Sequence, residues 1–109
     1  MNKNVFDFEI TAVSPWIAVS TIPTKDSKLY NELIEKYGPS GVYQIAEKRN
    51  IESIGENLVD PNIGYIGKSQ NVLNRTYSVR TEKGSHGAGR YIRQNELSRD
   101  EVMIRYIYT

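Results

Sequence analysis

Two short stretches about twenty residues apart constrain this chain more than anything else in it: Gly41-Val42-Tyr43 and Gly64-Tyr65-Ile66-Gly67-Lys68-Ser69. Each sets a tyrosine among β-forming residues beside a glycine. Arg75 follows Lys68 by seven residues, on a segment with helical apolar spacing. Tyrosines on two paired strands can point their hydroxyls into one cleft, and a helix that follows can bring a guanidinium to it. A phosphate-binding loop is the competing reading, because Gly67-Lys68-Ser69 matches the end of such a loop. That motif needs a glycine five residues before Gly67, where this chain has Asn62. An asparagine side chain there would crowd the phosphate, and no later strand ends in a metal-binding Asp, so the loop reading is set aside.

Around these stretches the periodicity alternates between two and 3.6. Residues 5–10 alternate Phe6, Phe8 and Ile10 against Asp7 and Glu9, which reads as a half-buried strand. Residues 16–22 read as a second short strand between Pro15 and Pro23. Leu29, Leu33, Ile34 and Tyr37 form a helical stripe, capped by Asp26 or Ser27 and stopped at Gly38-Pro39. A strand over 41–48, a polar connection over 49–62, and a strand over 63–66 turning at Gly67 come next. A helix over 71–80 carries Val72, Thr76 and Val79 inward, with Arg75 on a neighbouring face. A second helix is expected over 86–97, and a last strand over 101–108 alternates Val102, Ile104, Tyr106 and Tyr108 with Met103, Arg105 and Ile107. The pattern is α+β: residues 1–40 as an N-terminal strand–strand–helix extension packed on a domain spanning 41–109.

The chain has 109 residues, enough for one domain. It has no cysteine, which excludes disulfides, thiolate metal sites and a cysteine nucleophile. No run reaches membrane-spanning length and no apolar signal core follows Met1, so a soluble cytoplasmic protein with no membrane partner is expected. Net charge is +1, but it is unevenly spread: residues 1–63 carry −3 and residues 64–109 carry +4. Between 68 and 93 there are six basic residues, Lys68, Arg75, Arg80, Lys83, Arg90 and Arg93, against one acid, Glu82. A polyanion would meet that segment first, although a solvated helical face gives the same count.

In this order and spacing, Gly41-Val42-Tyr43, Tyr65-Ile66-Gly67, Lys68 and Arg75 resemble the signature of the GIY-YIG nuclease family, with Val42 in place of the usual isoleucine. The resemblance covers about two-thirds of the chain, from residue 41 onward. It implies a small, mainly antiparallel three-stranded sheet flanked by helices, and an endonuclease that hydrolyses phosphodiesters in DNA rather than RNA with Mg²⁺ or Mn²⁺. By the same resemblance Tyr43 is the general base or the group that positions the water, and Tyr65 orients water or phosphate. Lys68 is the cation that would lower the Tyr43 pKa, and Arg75 forks onto phosphate oxygens. His86, the only histidine, falls where the family often has a His or Tyr after the arginine, with Tyr77 as a second candidate.

Each of these residues also has a plain structural reading. Tyrosine packs well across sheets, and Tyr91, Tyr106 and Tyr108 read as structural. Arg75 alone is a helix-surface arginine, Lys68 a solvated turn residue and His86 a surface or capping group. The family holds its cation with a glutamate on a helix after the third strand, and this sequence ends at Thr109 with no residue at that place. The metal ligand is therefore unknown. Glu47, Glu96, Asp100 and Glu101 are the acids nearby, and none matches the family position. A fragment of a longer protein, an acid recruited from elsewhere or from a partner, or a degenerate member that binds nucleic acid or protein without cutting would each account for this.

Overall fold

The computed structural model describes residues 9–80 and 87–109. Three seven-residue strands dominate it: β3 (Gly41–Glu47), β4 (Ile63–Ser69) and β5 (Val102–Tyr108). Two short strands, β1 (Ala12–Val13) and β2 (Ile17–Ala18), both pair with β5, giving a five-stranded antiparallel sheet in the order β1–β5–β3–β4. Helices α1 (Lys28–Tyr37), α2 (Ile51–Ile54), α3 (Val72–Arg80) and α4 (Gly87–Gln94) complete an α+β domain. Among the described residues no helix is long and apolar enough to cross a membrane.

Register assigns the two faces of the sheet. Tyr43 lies opposite both Gly67 and Tyr106, and Ile45 opposite both Tyr65 and Ile104. Side chains alternate along a strand, so these residues share one face. They pack against Tyr30 of α1, Val72, Leu73 and Val79 of α3, and Ala88 and Ile92 of α4. Each aliphatic side chain fully buried there contributes roughly 1.5–3 kcal/mol. Gln44 and Arg105, opposite each other, lie on the second face, which the connection after β3 covers.

Local chemistry fixes the helices. Ser27 caps α1 by accepting from the Tyr30 N–H at 3.2 Å. Gly38 ends it at φ +79°, a left-handed conformation that costs glycine nothing. Asn71 caps α3: its Oδ1 accepts from the Asn74 N–H at 3.0 Å, and its own N–H donates to Ser69 Oγ at 3.0 Å. Its Nδ2 donates to the Tyr30 hydroxyl at 3.0 Å, tying the start of α3 to α1. Ser98 and Glu101 cap each other just before β5, and those hydrogen bonds hold the exposed Glu101 carboxyl below its usual pKa.

Several boundaries differ from the sequence expectation. The turn expected at Gly67 is strand interior, because β4 continues to Ser69 and pairs with β3 throughout. The strand expected over 16–22 shrinks to Ile17–Ala18, followed by a tight turn that buries Val19 and Ile22 completely. Most of the strand expected over 5–10 lies outside the described residues. The long connection after β3 is not structureless but contains α2.

Candidate functional site

The tyrosines of the two motif stretches meet on the helix-covered face. The rings of Tyr43 and Tyr65 lie 6.1 Å apart, centroid to centroid, tilted by 34°. Gly67 makes this possible. It sits opposite Tyr43, and a Cβ built on it would lie 2.8 Å from Tyr43 Cε1 and closer still to Cζ and the hydroxyl. The hydroxyl end of the Tyr43 ring therefore occupies the space a side chain at 67 would fill. Two further glycines serve the same purpose: a Cβ on Gly87 would lie 2.8 Å from Tyr65 Cε2, and one on Gly64 would lie 2.7 Å from Tyr91 Cε1. Gly41, the other motif glycine, is pressed against backbone: a Cβ there would overlap the Ile107 carbonyl oxygen of β5.

Arg75 reaches this pair from the first turns of α3. Its guanidinium acts on the Tyr43 hydroxyl, as does the neighbouring Tyr65. Val72, Leu73, Thr76 and Val79 anchor the other side of α3 in the core, so helical spacing leaves Arg75 at the surface. Tyr43 is 3% exposed. Burial raises its pKa, the Arg75 guanidinium lowers it, and Tyr65 raises it again; the outcome is a hydroxyl above its usual value. Tyr43 is thus a neutral phenol at neutral pH, able to donate a hydrogen bond. This departs from a ready general base.

The cation at Tyr43 is Arg75, where the sequence pointed to Lys68. Lys68 lies opposite Val42, one position off the Tyr43–Gly67 pair, so its side chain leaves β4 on the other face. Lys68 and Arg75 line two neighbouring depressions that share Ser69 and Gln70. The one at Arg75 has a volume of about 450 Å³, and the one at Lys68 about 360 Å³. Together they flank the junction between β4 and α3 with polar side chains and backbone.

Of the remaining basic residues that are described, Arg80 is committed within the fold. Arg80 donates from Nη1 to the Ile22 carbonyl at 2.7 Å and to Thr24 Oγ1 at 3.2 Å, and it lies 5.8 Å from the Tyr77 ring centroid. Its own carbonyl accepts from Arg99 Nη1. Arg80 therefore clamps the turn after β2 to the end of α3. Arg90 and Arg93 are exposed on α4. Lys83 and His86 lie outside the described residues. Tyr77, half-buried, is turned toward Arg80.

Carboxylates are poorly placed for a cation beside Tyr43. Glu47 shares its sheet face but stands four residues along β3, roughly 13 Å at strand rise. It pairs with Arg49 at 3.1 Å and faces Tyr91, whose hydroxyl is raised by burial and by that negative charge. Glu101 is held by Ser98, and Glu96 and Asp100 are exposed. Among the described residues no group of three acid or histidine side chains could hold a metal ion. Among the described residues, then, no cluster of acids stands ready beside Tyr43 for Mg²⁺ or Mn²⁺.

Asn71, which caps α3 and reaches Tyr30, was not singled out from the sequence, whereas Tyr106, read there as structural, is buried with its hydroxyl 2.7 Å from Thr76 Oγ1 beneath the site. The polar run Ser69-Gln70-Asn71 before an apolar pair was the available signal for Asn71. Fold and site together define a small α+β domain with a tyrosine–arginine cluster at a strand–helix junction. In comparisons with known proteins, no family model, no curated protein and no solved structure matches this chain.

Proposed function

We propose that this chain is a GIY-YIG-type endonuclease domain that holds a DNA phosphodiester at the junction of β4 and α3. The observation that carries the reading is the convergence of Tyr43, Tyr65 and Arg75 from three separate elements onto one spot. Arg75 supplies the charge-matched fork for phosphate oxygens. Tyr43, as a neutral phenol, donates to a phosphate oxygen or orients water, and Tyr65 fixes the position of the Tyr43 hydroxyl. Ser69, Gln70 and the N-terminal turn of α3 offer polar groups to the flanking backbone. Hydrolysis in this reading would draw on Mg²⁺ or Mn²⁺, as the resemblance implies.

The carboxylate placement favours a second reading, in which the domain grips nucleic acid without cutting it. Incubating supercoiled plasmid and labelled duplex with the protein, with and without Mg²⁺ or Mn²⁺, separates the two. Metal-dependent nicking that disappears in Arg75→Ala and Tyr43→Phe supports the endonuclease. Duplex binding that weakens with salt and with Arg75→Ala, but yields no product, supports the second. Neither cleavage nor binding at low salt refutes both.

A further inference from the structure

On the sheet face opposite Tyr43, a groove of about 610 Å³ opens between the turn joining β1 to β2 and the connection after β3. Arg105 lines it and is only 2% exposed. Its acceptors are all neutral: Gln44 Oε1 accepts from Nε at 3.1 Å and Nη2 at 2.6 Å, the Gly55 carbonyl from Nη1 at 2.9 Å, and the Asn57 carbonyl from Nη2 at 3.1 Å. Among the described residues no carboxylate pairs with it. A guanidinium carries five N–H groups, so these bonds leave one, on Nη1. Trp16 lines the same groove, with its ring centroid 4.4 Å from the Arg105 guanidinium carbon. Its indole N–H is buried and has no acceptor. The apolar wall is formed by Val13, Ile51 and Leu58.

A buried cation balanced by dipoles and an aromatic face, with no counter-charge, leaves a positive potential in a low-dielectric wall. Two unused donors stand in that wall, and a buried donor without an acceptor is costly enough to need a reason. The volume lies within the range of small-ligand sites. We infer that this groove binds a small aromatic monocarboxylate. Its ring lies on Val13, Ile51 and Leu58, and its carboxylate accepts from Arg105 Nη1 and the Trp16 indole. Glu56, also in the lining, selects against polyanions, which separates this site from any nucleic-acid contact.

Trp16 is the only tryptophan of the chain, so its fluorescence reads the groove directly. The experiment titrates benzoate, and benzyl alcohol as its uncharged counterpart, into the full chain. The expected result is a saturable change with benzoate and binding weaker by about tenfold or more with benzyl alcohol, since a charge-assisted hydrogen bond is at stake. Val13→Phe fills the groove from a position that is 44% exposed, so folding is retained, checked by circular dichroism, and the benzoate response disappears. Arg105→Lys keeps the charge but loses the fork and weakens benzoate binding. Equal binding of acid and alcohol, no saturation, an unchanged response in Val13→Phe, or displacement of benzoate by a DNA duplex overturns the inference.

Discussion

Replacing Gly67 by alanine tests the seat on which the candidate site is built. The added Cβ would stand 2.8 Å from Tyr43 Cε1 and nearer to the hydroxyl end of the ring. Carbon atoms rest at about 3.5–4.0 Å, so the ring has to withdraw by roughly 1 Å. Tyr43 is 3% exposed and hemmed in by Tyr65 and the core, which leaves it no easy retreat. Overpacking of this kind costs about 1–3 kcal/mol. Gly67 is not among the positive-φ glycines, so alanine suits its backbone and returns about 0.4–1 kcal/mol through the unfolded chain. The net loss is about 1–2 kcal/mol, a fall in Tm of roughly 5–10 °C for a domain of this size. Chemical and thermal denaturation measure it. The double variant Gly67→Ala with Tyr43→Val removes the clashing ring, so the two changes should couple by about 1 kcal/mol or more. An alanine variant that melts at or above the parent temperature, or strict additivity in the double variant, would refute the reasoning.

Other outcomes follow from the same geometry. Gly41→Ala drives a Cβ into the β5 backbone at Ile107 and should abolish folding or cost several kcal/mol more than Gly67→Ala, as followed by urea denaturation. Tyr106→Phe removes one hydrogen bond from the buried Thr76 hydroxyl, 2.7 Å away, which still donates to the Val72 carbonyl, and should lower stability by about 0.5–1.5 kcal/mol. Arg80→Ala breaks the hydrogen bond to the Ile22 carbonyl; it should destabilise the domain by about 1–2 kcal/mol while leaving the salt slope of any DNA binding unchanged. Burial pushes Tyr108 up to about 12 and raises Tyr43 and Tyr106 as well. A raised folded pKa favours the protonated native state, so stability should hold up to about pH 10, the unfolded value, and fall from there toward pH 12, measured as the denaturation midpoint against pH.

The parts of the fold that repeat at short period were legible in the residues. The inward set of α3 appears where the spacing put it, and β5 covers the run expected for it, although both of its faces are buried. Gly67 was misleading because glycine signals turns, whereas here it answers a cross-strand demand from Tyr43, twenty-four residues earlier. Arg105 looked like the outward residue of an alternating strand. It is buried because the connection after β3, which has no pattern of its own, folds over that face and supplies carbonyls. Basic residues counted along the chain carry no direction: Arg80 turns inward to Ile22, and Lys68 and Arg75 leave on different sides. The convergence of Tyr43, Tyr65 and Arg75 was suggested by motif spacing, but which cation acts on Tyr43 depends on strand parity and helix phase together.

The glycine seats of β4 and α4 are reciprocal: Tyr91 of the helix rests on Gly64 of the strand, and Tyr65 of the strand rests on Gly87 of the helix. Such an arrangement acts like two crossed pins. Moving α4 relative to β4 disturbs both seats together. The tilt of Tyr65 against Tyr43 is therefore set by the docking of α4, a helix that carries none of the motif residues. Substitutions on the hidden side of α4 should be felt at the Tyr43 hydroxyl before they are felt in the strands between.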